Sequence, residues 1–206
     1  MKGVIKLSKA DISSITDSEE RFEIIDGVKI YMLAAASFNH NFFAARLVSI
    51  FNSYFLRHGK GVAVHDVDVP LPDGNLFRPD VCVITDFAWL ESDENSSVVP
   101  ALVVEILSRS TMKNDLGIKK NIYERNGVKE YWIVDQWSKR VDVYHLVDGR
   151  YELDDVYRLF SDRELAAMNE ADRTEVKYAI KVSLFDGLIV DIRDVFNFWW
   201  KKKSEE

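Results

Sequence analysis

Apolar and polar residues alternate in short runs along most of this chain, and one long stretch follows a helical period. Phe22-Glu23-Ile24-Ile25, then Asp26-Gly27, then apolar positions to residue 33 predict a hairpin on a two-residue type I′ turn. Residues 37–57 predict a helix, because Phe43, Leu47, Ile50, Phe51, Tyr54 and Phe55 recur at spacings of three and four. Gly59 and Gly61 end it. Residues 62–69 alternate as a strand, and Pro70-Leu71-Pro72-Asp73-Gly74 is a turn. Residues 77–84 and 101–107 are two apolar strands. Ser110 or Thr111 caps a helix that runs to about Arg125, with Asn126-Gly127 as its stop. Strands follow at 130–134, 140–146 and 151–157, the last two joined through Asp148-Gly149. Short strands at 176–182 and 188–190 precede a closing helix over 192–202. Residues 8–20, with Ile12 and Ile15 as anchors, predict a short helix or turn. The expected fold is an α/β (α+β) core, a mixed sheet flanked by helices.

Length and composition narrow the class. A chain of 206 residues suits one domain, and 47% apolar with 30% charged residues is ordinary for a globular protein. Cys82 is the single cysteine, which excludes an internal disulfide, and its apolar run marks it as a small core residue. No early segment resembles a signal peptide and no apolar run spans a bilayer, so a cytoplasmic protein without membrane partners is expected. The formal net charge of −7 argues against broad electrostatic binding to nucleic acid. The charge is uneven, however: residues 148–175 are rich in acids, and 109–140 carry more Lys and Arg than acids. A local basic face remains open.

The candidate chemistry lies in two strands and one helix. Asp80 follows Pro79 at the start of Val81-Cys82-Val83-Ile84, and Glu105 ends Ala101-Leu102-Val103-Val104. Lys119 falls on the helix beyond. Charge in a buried strand is costly unless a partner or a metal compensates it. Asp80, Glu105 and the carbonyl of Ile106 are oxygen donors of the kind Mg²⁺ takes. Such an ion would polarise a phosphodiester, and Lys119 would stabilise the charge developing on it. Ser108, Ser110 and Thr111 precede a helix start, which favours an anion. From these residues alone the plainer alternative ranks higher: Asp80 caps a turn and Glu105 forms a buried ion pair with Lys119 or Arg109.

The order of the surrounding words shifts that balance. Arg21-Phe22-Glu23-Ile24-Ile25-Asp26-Gly27 comes first, then Ala36-Ser37 with His40, then Arg78-Pro79-Asp80-Val81. Val104-Glu105-Ile106-Leu107-Ser108-x-Ser110-Thr111, Asp115-x-x-x-Lys119-x-x-x-Tyr123 and Gly127-Val128-x-Glu130-Tyr131-Trp132-Ile133-Val134-Asp135 follow. This run resembles the Uma-two family of restriction-endonuclease-like proteins, a branch of the PD-(D/E)XK nuclease superfamily, over about residues 20–195. The resemblance implies a single restriction-endonuclease-like domain with short terminal extensions, the C-terminal one Lys-rich. It implies a Mg²⁺- or Mn²⁺-dependent DNA endonuclease, with Asp80 and Glu105 as the metal-binding acids and Glu23 as an early acid that completes the site. The superfamily lysine two residues after the second acid is Leu107 here, and the resemblance maps that role to Lys119. Two words depart from the family: Arg109 stands in place of a proline, and Gln136 replaces the proline after Asp135. Arg109 adds a phosphate contact or neutralises Glu105.

Other residues carry smaller expectations. His40 is read as a helix-surface or supporting histidine ahead of a ligand or proton shuttle. Asp115 is expected to pair with Lys119, and Asp115, Lys119 and Tyr123 share a helical face. Lys120 is the rival cation, about 100° away around the helix. Tyr131 and Trp132 read as core residues, and Trp199, Trp200 and the lysines at 201–203 as packing residues and a solvated tail. His58, His65 and His145 have no mutual metal spacing. A homodimer is expected, since nucleases that cut both strands commonly work in pairs. The alternative function is a catalytically inactive binding or regulatory module on the same fold.

Overall fold

Asp26 and Gly27 both take positive φ, 48° and 77°, the turn geometry that Asp-Gly favours. They join β1 (Phe22–Ile25) to β2 (Val28–Tyr31) in the register Ile25 opposite Val28. The computed structural model describes residues 21–31, 37–91 and 96–198. The expected helix or turn at 8–20, the distal end of the predicted β2, and Trp199, Trp200 and the following lysines lie outside them.

Helix α1 (Phe38–His58) starts at Ser37, whose hydroxyl accepts from the His40 amide, and ends at left-handed Gly59 (φ 62°). Its buried stripe, including Phe43, Leu47, Phe51 and Phe55, is the one the spacing predicts.

The two strands predicted at 62–69 and 77–84 each divide between two sheets. The first gives β3 (Val62–Val64) and β4 (Val69–Pro70), separated where Asp66 adopts φ 55°. The second gives β5 (Leu76–Phe77) and β6 (Val81–Ile84), separated at Arg78-Pro79-Asp80. Proline cannot donate to a ladder, so the break falls where a hydrogen-bond donor is missing. A four-stranded antiparallel sheet runs β2-β1-β5-β4.

The main sheet adds β7 (Leu102–Ile106), β8 (Glu130–Asp135), β9 (Arg140–Val147) and β10 (Arg150–Arg158), in the order β10-β9-β8-β7-β6-β3. Among the described strands only the β7–β8 pair is parallel. The connection between them is helical: α3 (Met112–Asn114), a π-helical turn (Asp115–Lys119) and α4 (Lys120–Asn126), stopped by Gly127 at φ 86°. A short helix α2 (Phe87–Leu90) precedes β7. The acidic stretch enters β10 and then two short helices, α5 (Asp162–Ala167) and α6 (Glu170–Thr174), each with acids in its first turn where the helix dipole favours them. The chain closes with the pair β11 (Ala179–Lys181) and β12 (Ile189–Asp191) and helix α7 (Ile192–Phe196). That helix is shorter than predicted, ending at extended Asn197.

Side chains of the main sheet alternate between two cores. Val81, Val83, Leu102, Val104, Ile106, Trp132 and Val134 pack with α1 and α7. Cys82, Ile84, Val103, Tyr131 and Ile133 pack on the other face with Ile122 and Tyr123 of α4, Phe77 and Ile25. Glu105 lies between Val104 and Ile106 in β7, so the two-residue period turns it to this second face.

Candidate active site

Strand register brings the two acids together. In the β6–β7 pair Val81 lies opposite Val104 and Cys82 opposite Val103. One residue further, that register sets Asp80 opposite Glu105, with both side chains on the same face. β6 ends at this point, so the Ile106 amide has no strand partner on that side. The Asp80 carboxylate takes its place: the Ile106 N–H donates to Asp80 Oδ2 at 2.6 Å. His40, near the start of α1, sets its Nε2 3.1 Å from the same oxygen. The sequence reads His40 as a helix-surface or supporting histidine, and its contact is partly buried and made to a proposed ligand.

Lys119 is the centre of the second half of the site. Its Nζ stands 2.7 Å from Glu23 Oε1, 3.4 Å from Glu105 Oε1 and 3.6 Å from Asp115 Oδ1. Tyr123 donates its hydroxyl to Glu105 Oε1 at 3.0 Å. Glu23 arrives through the pleat of β1: Phe22 and Ile24 pack with Leu76 on one side, and Glu23 and Ile25 face the site. The Arg78 amide, exposed by the break between β5 and β6, donates to Glu23 Oε1 at 3.3 Å. The π-helical turn contributes as well, because the Tyr131 hydroxyl donates to the Asp115 carbonyl at 2.9 Å. Lys120 is elsewhere, with its ammonium 3.4 Å from the centre of the Tyr144 ring.

Three carboxylates and one ammonium are therefore buried together: Glu23, Glu105, Asp115 and Lys119 are each 5% exposed or less. The excess of negative charge shows in the protonation equilibria. Burial pushes the Glu105 carboxyl well above the usual range, against the pull of Lys119, and Asp115, Asp80 and Glu23 add to the rise. Burial likewise raises Asp115 to about 6 despite Lys119 and Thr111. Burial alone would lower the Lys119 ammonium, but Glu105, Glu23 and Asp115 outweigh it and the pKa rises. Lys119 thus keeps its proton at any physiological pH. Burial also works against protonation of His40, yet Asp80 prevails and its pKa is raised. The Tyr123 hydroxyl stays protonated, because burial and Glu105 both raise it. The Cys82 thiol, on the same face, is pushed to about 12 by burial and Glu105 and is inert.

These shifts fix the sign of the pH dependence. Asp115 holds its proton up to about pH 6 when folded and only to its ordinary value of 3.8 when unfolded. Its contribution to stability is complete below the unfolded value and is lost as pH rises through about 6. Glu105, also raised, acts in the same direction, and so does His40, whose stabilising proton is lost above its ordinary 6.5. Carboxyls held low, such as Asp73, Asp135 and Asp191, lose their contribution only in stronger acid. The metal-free protein is expected to melt at a higher temperature near about pH 5.5 than near about pH 8. Thermal denaturation across that interval checks it; a melting point that climbs with pH would contradict the shared-ammonium picture.

An open cavity of about 1100 Å³ gives access to Asp80, Glu105, Asp115 and Lys119. Ser108, Arg109, Ser110 and Thr111 form part of its wall. The expected cap is arranged differently from the prediction: Ser108 Oγ accepts from the Thr111 amide at 3.1 Å and bonds both the Ser110 and Thr111 hydroxyls, while Thr111 makes no side-chain cap. Arg109 is exposed and does not neutralise Glu105. Within the basic stretch 109–140, Arg125 pairs with Asp26 and Asp73, and Arg140 with Asp142.

Among the described residues, no three His, Cys, Asp or Glu side chains converge at metal-ligand spacing. Asp80 and Glu105 offer two oxygen donors beside the backbone of Ile106, and the pocket carries excess negative charge. That donor set fits Mg²⁺, which keeps several waters and takes one or two carboxylates. It does not fit a metal that needs a complete protein cage. Gln136 stood out in the sequence only as a departure from the family pattern, and Trp137 did not stand out at all; both line the cavity, and the Gln136 side chain donates to the Leu107 carbonyl at 2.9 Å.

A model of the Uma2 family, described as "Putative restriction endonuclease", matches residues 10–171. The chain is 31% identical over 131 residues to "Uncharacterized protein slr1290" of Synechocystis sp. (strain ATCC 27184 / PCC 6803 / Kazusa), covering 63% of this chain and 68% of the relative. A crystal structure from Anabaena variabilis ATCC 29413, described as "a putative nuclease belonging to DUF820", superposes with a TM-score of 0.69 at 18% identity. That match covers 92% of this chain and 97% of the other, and shows a shared fold. No helix among the described residues is long and apolar enough to cross a membrane.

Proposed function

This chain belongs to the Uma2 family of restriction-endonuclease-like proteins, and from that footing we propose that it is a Mg²⁺- or Mn²⁺-dependent endonuclease that hydrolyses phosphodiester bonds in DNA. The chief support is the register that sets Asp80 across from Glu105, with the Lys119 ammonium 3.4 Å from Glu105. Asp80 and Glu105 would hold the metal, with the Ile106 carbonyl as a third oxygen. When bound, the ion supplies Lewis-acid polarisation of the phosphate and a lower pKa for water.

The chain's own residues do the rest. Lys119 cannot serve as a general base, because its proton is held by three carboxylates. It acts as a fixed positive charge toward the phosphoryl oxygens, where a preorganised charge in a dry site is most effective. Glu23 and Asp115 hold that ammonium in place, and the Tyr123 hydroxyl fixes the rotamer of Glu105. His40 and the Ile106 amide fix Asp80. Ser108, Arg109 and Ser110 are suited to neighbouring phosphates. In the overall reaction a water oxygen bonds to phosphorus, the P–O bond to the leaving nucleoside breaks, and that oxygen takes up a proton. Action on both strands would use a second copy of the chain as a homodimer.

DNA nicking with Mg²⁺ or Mn²⁺ is the direct test. Asp80→Ala is expected to lower cutting by about 10²-fold or more, the scale of losing one preorganised electrostatic group. Cutting that persists in this variant rejects the site. A second reading, a binding module without turnover, is favoured by one observation: His40 and Lys119 already compensate the acids without a metal. Calorimetric titration separates the two, since a folded protein that takes up neither metal below millimolar concentration supports the module.

A further inference from the structure

Trp137 is the one large exposed apolar side chain in the described wall of the cavity, with half of its surface open to solvent (50%). The turn that carries it is held rigidly. The Asp135 carboxylate accepts from the Trp137 amide at 2.9 Å, the Ser138 amide at 3.2 Å and the Ser138 hydroxyl at 2.6 Å. Gln136 ties this turn to the loop after β7 through the Leu107 carbonyl. The two loops leave the same end of the parallel pair β7–β8, where Ile106 lies beside Val134. Arg109 is on that neighbouring loop, lines the same cavity and makes no ion pair among the described residues. It differs in this from Arg21 and Arg78 on the wall, which are held by Asp66 and Asp68.

An indole face and an uncommitted guanidinium, both beside the phosphodiester site, match the two halves of a nucleotide. The guanidinium suits a phosphate, and the ring suits the π-face of a base. Inside a continuous duplex that face is covered by the neighbouring base pairs. Only a nucleotide unstacked on at least one side can lie on that ring.

We propose that Trp137 stacks on an unpaired base of DNA while Arg109 contacts an adjacent phosphate, so that the preferred substrate carries a single-stranded segment at the cutting point. This rests on the nuclease reading above and adds the substrate class. Trp137 is a specificity-determining residue in this scheme and takes no part in the bond-breaking step.

Binding of the full chain to a fluorescent single-stranded DNA oligonucleotide and to the blunt duplex of the same sequence, in EDTA so that nothing is cut, tests it. The parent protein is expected to prefer the single strand. Trp137→Ala is expected to weaken single-strand binding about tenfold, the scale of one base–aromatic stack, and to leave duplex binding unchanged. Trp137→Phe keeps most of the affinity, because a smaller aromatic face remains. Arg109→Ala weakens both forms and flattens the salt dependence. Equal losses for single strand and duplex in Trp137→Ala, unchanged single-strand binding, or a parent that prefers duplex would each overturn the proposal. Metal-dependent cutting by the parent, measured separately, distinguishes the two levels. A parent that cuts while Trp137→Ala binds normally removes only the stacking role. Selective loss of single-strand binding in a chain that never cuts supports the stacking role and removes the nuclease reading.

Discussion

Lys119→Met is expected to cost about 3–5 kcal/mol of folding stability, the range for removing one partner of a buried ion pair. Methionine matches the lysine stem in size, so little packing is lost. What remains is Glu23, Glu105 and Asp115, each nearly inaccessible to water, with no cation among them. Repulsion and desolvation then act without compensation. The loss should be larger near about pH 8 than near about pH 5.5, because Glu105 and Asp115 have raised pKa values and take up protons in that interval. Denaturant unfolding of parent and variant at both pH values checks the size and the pH trend. A variant as stable as the parent at pH 8 would mean that the acids are already neutral, and that the ammonium is not what holds them. Phosphodiester cleavage should disappear with the same substitution.

Glu105→Gln is expected to move activity and stability in opposite directions. The amide keeps the shape and can still accept the Tyr123 hydrogen bond, but it removes the charge that Asp115, Asp80 and Glu23 oppose. Relief of that repulsion should add about 0.5–2 kcal/mol, the usual gain from correcting a destabilised functional position. Cutting should fall by about 10²-fold or more, since a neutral amide is a poor ligand for a hard cation and a poor electrostatic partner. Melting temperature and nicking rate, measured on one preparation, decide the matter. A variant that loses stability together with activity would show that the Glu105–Lys119 attraction exceeds the cost of burying the carboxylate. In that case Glu105 would be a structural ion-pair residue, the plainer alternative that the bare sequence favoured.

How much of this was legible in the chain follows from what local pattern can carry. The hairpin at Asp26-Gly27 and the helix from Phe38 to His58 are fixed by nearest neighbours: a positive-φ turn and a stripe at spacings of three and four. Residues 62–69 and 77–84 misled for a related reason. Alternation reports which positions are buried, and it is the same whether a run stays in one sheet or crosses to another. The left-handed Asp66 and the donorless Pro79 mark the crossings, and only the pairing of the flanking residues shows that the sheet changes.

Motif order named Asp80, Glu105, Lys119 and Glu23 without showing how they meet. Lys119 and Lys120 are adjacent in sequence and differ in placement by about 100° around the helix; packing turned the first to the acids and the second to Tyr144. His40 reaches Asp80 because α1 begins beside the end of β6, forty residues away along the chain. The residue types and their local elements were therefore set by the sequence through short-range propensity and periodicity, and the family through the order of its motifs. The partners of each charge were decided by the tertiary structure. Strand register and helix rotation are long-range choices, and a carboxylate's energy depends on what they place within a few ångströms of it.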